Sequence, residues 1–430
     1  MTSIYAIPTH RKMDKKNIND YFSEVNFAND KYGQDCLLVF FEDVDMNINL
    51  DEIKEVAKKY KNVRYMYINR RDVVYIYNLI YNDLPQSSKD IFKKLYPGAN
   101  VNYGNVFNRI FIFAILLGAD KIHRRDSDVL IDIDANENRV YPIDVEMTYL
   151  GKKADDRIIY ICGGGYKEKY DLDIEGLIKD NGKDYSLVKK LFTCMSIPET
   201  SHDIIIDEEI LDNNKLFISD VINLDSGCYP ECGNVSLYKL FRYFPSSTQD
   251  FVLGSDYFFI DVAEYTDLNI CYHNRAVIHR HTNNRKKDRN KVYNYWKGFL
   301  MLIDSQMYYH LFYNSYLDNK KIDLCDPERK WFIDFMDSMK CNFDLFKKEY
   351  YKVRKNKLSD TFDVLSQAED EYILSCLDGL ASEVDSIIKY TNSSIEDHIK
   401  LMIEWIDIVT VIDEKRNSKE VLDFFANSMY

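Results

Sequence analysis

Over roughly the first 130 residues, short apolar runs alternate with amphipathic helical patterns, and this alternation constrains the fold more than any other feature of the chain. Ile4–Ile7 reads as a strand that stops at Pro8, and Leu37–Phe41 as a second strand closed by the acids Glu42 and Asp43. Between Asp51 and Tyr60 the apolar residues Ile53, Val56, Ala57 and Tyr60 recur at helical spacing, with Asn49 and Glu52 at capping-box separation ahead of them. Val63–Ile68 is a third strand. Asn105–Leu117 is a helix with Val106, Ile110, Phe113 and Leu117 on one face and Gly118 as its stop. Strands and helices in this order need crossover connections, so the fold class is α/β, a sheet flanked by helices.

Further along, Tyr141–Met147, Ile158–Cys162 and Leu216–Val221 read as strands. From about Asn290 the pattern turns helical. Asp326-Pro327 suits an N-cap and first helical position, and Ser393-Ser394 is expected to cap a helix striped by Ile395, Ile399, Met402, Ile406 and Val409. A length of 430 residues fits a large α/β unit over residues 1–290, in two halves at 1–135 and 136–290, with a C-terminal helical appendage at 291–430. The appendage stripe suits either a homodimer contact or packing on the α/β unit, and packing is the expectation. The balance of 70 acidic against 56 basic side chains, a net charge of -14, excludes general nucleic-acid binding. Nine scattered cysteines, an odd number, read as reduced thiols and not a disulfide framework. No signal peptide is visible at Met1–Arg11, and the longest apolar run, Ile110–Leu117, is too short to span a bilayer, so a soluble cytoplasmic protein is expected.

The sharpest chemical feature is Asp126-Ser127-Asp128, which follows a helix, a glycine and a short strand. Two carboxylates one residue apart at a strand's C-terminal end can converge on one hard divalent cation, Mn²⁺ or Mg²⁺. Ligands of open α/β sheets sit at that edge. A cation there could bridge the phosphates of a nucleotide and stabilise a departing diphosphate. The plain alternative is a solvated acidic loop, since Asp132 and Asp134 form a second such triplet six residues on.

The arrangement resembles the A-type (GT-A) nucleotide-sugar glycosyltransferases with a D-x-D motif. The carriers are the first strand running into Pro8-Thr9-His10-Arg11, the acids Glu42 and Asp43 after the second strand, and the helix with Gly104-Asn105 and Asn108-Arg109. Gly118 and Asp126-Ser127-Asp128 complete the run. Asn108 precedes Arg109 here, the reverse of the commoner order. The resemblance covers residues 1–285 and implies a metal-dependent transfer of a sugar from a nucleotide-diphosphate sugar to an acceptor. It assigns the nucleotide-sugar half to 1–135 and the acceptor half to 136–290. Pro8, Thr9, Arg11, Glu42, Arg109, Asp126, Arg275 and Arg285 would contact the donor, and Asp126 and Asp128 would hold the metal. Asp256, in Leu253-Gly254-Ser255-Asp256-Tyr257, would act as general base in an inverting reaction, or else it caps the following helix. A late histidine would complete the metal site. His279 and His281 both suit, alternating on one face of a strand, and His281 is preferred at the edge of its loop. The surrounding Arg275, Arg280, Arg285, Lys286 and Lys287 form the most basic stretch of the chain, suited to a diphosphate leaving group, or else a solvated loop.

The acceptor is open at this stage: a peptide, a natural product or a glycan. Three readings compete. A catalytically silent binding scaffold could use the same fold. A haloacid-dehalogenase-type phosphatase also pairs aspartates after a strand, but normally on its first strand. A nucleotidyltransferase would need a glycine-rich loop where Pro8-Thr9-His10-Arg11-Lys12 has no glycine.

Overall fold

The computed structural model describes residues 3–33, 35–44, 47–98, 102–133, 138–154, 156–167, 174–179, 184–207, 222–224, 230–248, 253–266, 268–279, 288–317, 322–324 and 329–430. The strands are β1 (Ser3–Thr9), β2 (Cys36–Glu42), β3 (Tyr65–Asn69), β4 (Lys121–Arg125), β5 (Val129–Ile133), β6 (Arg139–Val140), β7 (Lys153–Ala154), β8 (Arg157–Gly163), β9 (Tyr166–Lys167), β10 (Ile222–Asn223), β11 (Asn234–Tyr238), β12 (Asn269–His273) and β13 (Val277–His279). The helices of the α/β part are α1 (Lys15–Tyr32), α2 (Leu50–Ala57), α3 (Arg70–Asp83), α4 (Gln86–Phe92), α5 (Tyr103–Leu117), α6 (Pro142–Tyr149), α7 (Ser186–Cys194), α8 (Glu199–Ile205) and α9 (Phe258–Glu264). The C-terminal helices are α10 (Arg289–Phe312), α11 (Lys330–Glu349), α12 (Tyr351–Leu365), α13 (Glu371–Ser382), α14 (Val384–Lys415) and α15 (Lys419–Ser428).

One mixed sheet organises the molecule in the order β10–β12–β8–β11–β4–β1–β2–β3, with β7 beside β8. β3, β2, β1 and β4 run parallel, β11 is antiparallel between β4 and β8, and β12 returns parallel to β8. β2 is buried on both faces, as a continuous apolar run in a covered sheet should be. Along β1, alternate residues serve opposite faces. Ile4 and Ala6 share a core with α5 and α14, while Tyr5 and Ile7 share one with Phe22 and Val25 of α1. The mixed sheet, its flanking helices and the C-terminal helices are those expected from the sequence. A smaller sheet, β6–β5–β13–β9, stands at the C-terminal edge of β4.

The C-terminal helices pack directly on the α/β part. Leu401, Trp405 and Ile412 of α14 share the apolar core that contains Phe113 of α5, and Trp405 Nε1 donates to the Phe241 carbonyl at 3.0 Å. The stripe residues Ile395, Ile399, Met402 and Val409 are buried in the same core. None of the described helices is long and apolar enough to cross a membrane.

Three local expectations are corrected. Tyr141–Met147 is not a strand: Tyr141 is the N-cap of α6 and the rest lies in that helix, with Pro142 at its first position, where the missing N–H costs nothing. The apparent alternation is instead Ile143 and Met147, one turn apart on a buried face, with Glu146 also turned inward. Ser393-Ser394 lies inside the 32-residue α14 and caps nothing. Asn49 stands at the start of α2 without capping it. Its side chain accepts from the Met13 N–H at 2.8 Å and donates to Glu42 at 3.2 Å. Leu216–Val221 and Asp326-Pro327 lie outside the described residues.

Candidate active site

Chain direction makes the site. β1 leads on one side to β2 and β3, and the chain returns on the other side with β4. A crevice therefore opens at the carboxyl ends of β1 and β4, the switch point where open α/β sheets bind ligands. A cavity of about 790 Å³ occupies that crevice. The residues that follow each parallel strand line it: His10 and Arg11 after β1, Asp43 after β2, Arg70 after β3, and Asp126, Ser127 and Asp128 after β4.

Asp126 and Asp128 are joined by His279, and one ligand atom of each lies within 4.8 Å of the others. Strand register brings the histidine in. β5 starts at Val129, directly after the two aspartates, and β13 pairs with it antiparallel so that His279 stands opposite Val129. The Tyr166 ring of β9 lies over the imidazole with centroids 4.5 Å apart. The turn itself is pinned from α1, where Tyr21 Oη donates to the Asp126 carbonyl at 2.8 Å and Asn17 to the Val129 carbonyl at 2.8 Å. Tyr166 Oη reaches Asp126 Oδ2 at 3.1 Å and accepts from the Gly233 N–H at 2.9 Å. A side chain at Gly233 would meet both Tyr166 Oη and the Asp126 carboxylate, so any residue larger than glycine there must displace them.

Guanidinium groups already lie against these carboxylates. Arg11 Nη2 is 2.5 Å from Asp128 Oδ2, which also faces His279 Nε2 at 3.5 Å, and Arg124 Nη2 is 2.8 Å from Asp126 Oδ1. Arg124 is buried, lies over the Phe107 ring at 4.4 Å and donates to the Cys232 carbonyl. Burial pulls its pKa down, but Asp126 and Asp256 outweigh that and hold the guanidinium above its ordinary value. Two carboxylates that already attract cationic groups, with an imidazole beside them, form a donor set suited to a divalent cation with mixed oxygen and nitrogen ligation, so the residues fit Mn²⁺ or Mg²⁺.

A second cationic group lines the crevice beside β2 and β3. Arg109 of α5 is 3% exposed and pairs with Asp43 at 3.3 Å, and Arg70 meets the same carboxylate at 3.4 Å and the Asp43 carbonyl at 2.9 Å. Pro8 and Thr9 also line the cavity. Glu42 does not line it. Its side chain turns into the protein, accepts from the Ile48 N–H at 3.1 Å, and is pushed up to about 7 by burial. Asp43, one residue on, is the acid that faces the cavity.

Asp256 lines the opposite wall and is 6% exposed. It does not cap α9: Tyr257 is the N-cap, and its hydroxyl goes to Glu231 Oε2 at 2.5 Å. Two residues of α5 hold the Asp256 segment. Asn108 both donates to the Ser246 carbonyl and accepts from the Ser246 N–H, each at 2.8 Å. Gly104 packs so closely on the Ser247 carbonyl that no side chain fits, and its N–H donates to Ser255 Oγ at 3.3 Å. Arg275 sits away from the cavity lining, with its carbonyl bound to Asn234 Nδ2 at 3.0 Å. His281 and Arg285 lie outside the described residues. Arg70 and Arg124 escape sequence reading. The available signal was position: each stands at or just past the carboxyl end of a parallel strand.

Among solved structures, a mycobacterial protein is 10% identical, with 70% of this chain and 74% of that one covered and a TM-score of 0.35. Mannosyl-3-phosphoglycerate synthase from Rubrobacter xylanophilus is 12% identical over 70% of this chain and 72% of its own, with a TM-score of 0.34. The mannosyltransferase PcManGT from Pyrobaculum calidifontis, in complex with GDP-Man and Mn²⁺, is 9% identical over 94% and 86%, with a TM-score of 0.31. No curated protein matches the chain. A sequence family matches residues 3–420, and the chain belongs to it: DUF6271, a family of unknown function.

Proposed function

We propose that the chain is a metal-dependent glycosyltransferase that moves a sugar from a nucleotide-diphosphate sugar to a hydroxyl acceptor. The observation that carries this reading is the convergence of Asp126, Asp128 and His279 at the β1/β4 switch point, in a cavity ringed by Arg11, Arg70, Arg109 and Arg124. Pro8, Thr9 and Arg11 would lie along the donor, with Arg70 and Arg109 beyond them. Asp126, Asp128 and His279 would hold Mn²⁺ or Mg²⁺, which supplies charge neutralisation to the donor's diphosphate. Arg11 and Arg124 add fixed positive charge at the same end, where the leaving group gains negative charge. Asp256 takes the acceptor's hydroxyl proton as that oxygen bonds to the anomeric carbon. The bond from that carbon to the diphosphate oxygen breaks, and the nucleoside diphosphate leaves with the electron pair. This assignment belongs to an inverting transfer.

The test is thermal melting with UDP, GDP and other nucleoside diphosphates, with and without Mn²⁺, on the wild type and Asp128→Ala. A ligand at about 100 times its dissociation constant adds roughly 2.7 kcal/mol of stability. A rise that needs both nucleotide and Mn²⁺, and that Asp128→Ala abolishes, supports the reading. If no nucleotide shifts the wild type, the transferase reading fails and a silent scaffold built on this fold takes its place.

A further inference from the structure

The cavity does not end at the sheet. Its far wall is made by α10 and the helical turn Tyr313–Leu317 that follows it, facing Asp256, Tyr257, Asp261 and Tyr265. Taking the transferase reading as its basis, we infer that this wall is the acceptor compartment, and that it takes an uncharged, hydroxyl-rich molecule: a sugar unit of a neutral glycan or glycoside, not a phosphorylated or carboxylated acceptor.

Three features lead there. The wall is built from tyrosine rings and hydroxyls, with Tyr265 and Tyr309 half-buried at the cavity and Tyr313 buried against both. Tyr265 and Tyr313 stack at 4.8 Å and 22°, Tyr313 Oη donates to Asp261 Oδ2 at 3.0 Å, and Tyr309 lies parallel to Tyr313 at 6.0 Å. A pyranose has the matching character, apolar where its C–H bonds share a face and polar around its rim. Second, Gln306 lines the wall, and its Oε1 is buried with no hydrogen-bond partner among the described residues. An amide in that condition is costly unless a ligand hydroxyl satisfies it. Third, charge divides the cavity. The described lining has no lysine, and each of its arginines is already engaged by carboxylates: Arg11 by Asp128, Arg70 and Arg109 by Asp43, and Arg124 by Asp126 and, electrostatically, by Asp256. The acceptor end carries Glu231, Asp256 and Asp261. Burial, reinforced by Lys357, lowers the pKa of His310 and leaves it uncharged at neutral pH. An anionic acceptor would meet these three carboxylates, with Arg124 already held by Asp126 and Asp256, whereas a neutral sugar has no such conflict.

The test measures binding of neutral sugars (methyl glucosides, mannosides and galactosides, maltose, cellobiose, trehalose) beside glucose 6-phosphate and mannose 6-phosphate, by calorimetry with Mn²⁺ and UDP or GDP present. At least one neutral sugar should bind about tenfold or more tightly than the phosphates. Gln306→Leu, which preserves volume, and Tyr265→Ala should each weaken it by a similar factor, while the melting shift given by nucleotide and Mn²⁺ persists. Tighter binding of the phosphates, no binding of any neutral sugar, or variants that bind like the wild type would each overturn the inference. The nucleotide shift is read separately. Its absence in the wild type sinks the transferase reading, and sugar binding lost in Gln306→Leu would then still establish a carbohydrate site on this wall.

Discussion

Replacing Arg125 by methionine should cost the fold several kcal/mol, because the strand that delivers the aspartate pair is held by a fully buried charge cluster. Arg125 Nη2 lies 2.9 Å from Glu24 Oε1 and 3.0 Å from Glu146 Oε1, and all three side chains are buried. Its Nη1 donates to the Arg124 carbonyl at 2.8 Å, and its guanidinium lies 5.4 Å from the Tyr5 ring centroid. His123 Nδ1 stands 2.8 Å from Glu146 Oε2 and His273 Nε2 3.6 Å from Glu146 Oε1, but burial lowers both imidazole pKa values and Glu146 only partly offsets it. Arg125 is therefore the main cation for two carboxylates. Removing one partner of a buried pair costs about 3–5 kcal/mol. At about 2 °C per kcal/mol for a long chain, the melting temperature falls by roughly 6–10 °C. The pH dependence carries a sign. Burial raises the Glu146 pKa, but Arg125 and the histidines outweigh it and hold it well below the ordinary value. In the wild type its stabilisation is thus present above the unfolded value near about 4.3 and lost as pH falls through the folded one. In Arg125→Met the buried Glu146 carboxylate lacks that cation and its folded pKa rises, so the deficit is smallest in acid and grows as pH increases. Urea midpoints followed by tryptophan fluorescence between about pH 4 and 8 measure both effects. Glu24→Gln/Arg125→Met/Glu146→Gln should recover much of the loss, since no buried charge is left unpaired. A deficit under about 1 kcal/mol, or one independent of pH, would refute the claim that a charged cluster holds β4.

Other substitutions separate the site from the scaffold. Asp128→Ala breaks a part-exposed pair with Arg11 while relieving repulsion from Asp126, so ligand-free stability should move by no more than about 1 kcal/mol in denaturation; a larger loss would make Asp128 structural. Gly233→Ala forces Tyr166 and the Asp126 carboxylate aside and should cost about 1–3 kcal/mol. It should also weaken the Mn²⁺-dependent melting shift, and an unchanged shift would remove Asp126 from the metal site. Glu42, pushed up to about 7 by burial, is a group whose charged form opposes folding, so its penalty grows as pH rises from its unfolded value towards about 7. Glu42→Gln keeps an acceptor for Ile48 and should stabilise the protein by on the order of 2 kcal/mol at pH 8, with little gain at pH 4.5; a gain equal at both would contradict the titration.

Much of the parallel half is legible from the sequence because its strands are buried on both faces and so appear as unbroken apolar runs, as in Leu37–Phe41. Where period decides less, reading fails. Ile143, Val145 and Met147 alternate as in a strand, yet Ile143 and Met147 are also one helical turn apart, and Pro142 starts a helix without loss. β4 is the harder case. Lys-Ile-His-Arg-Arg has the composition of a surface strand but lies in the middle of the sheet, because Glu24 and Glu146 arrive from α1 and α6 to match Arg125, and Asp126 to match Arg124. No local pattern announces a partner more than 20 residues away.

The site divides in the same way. Asp126 and Asp128 stand two positions apart directly after a strand, so their shared direction can be read from the sequence. His279 reaches them only through the pairing of β13 with β5, and a shift of one residue would turn it to the other face. Sequence reasoning can name two histidines on that face but cannot choose between them without the register. The far wall was less legible still, because tyrosines spaced along α10 look like core until their neighbours are known. Trp296 is indeed core, buried against α7 and α12–α14, while the adjacent Tyr295 faces the cavity. The distinction rests on which side of α10 meets the crevice, and α14 helps fix it: His398 takes Tyr309 Oη at 2.8 Å and reaches the Pro245 carbonyl at 3.2 Å. The C-terminal helices thus determine the shape of the cavity as well as covering the sheet, and a change at His398 should be felt in what the far wall binds before it is felt at the aspartates.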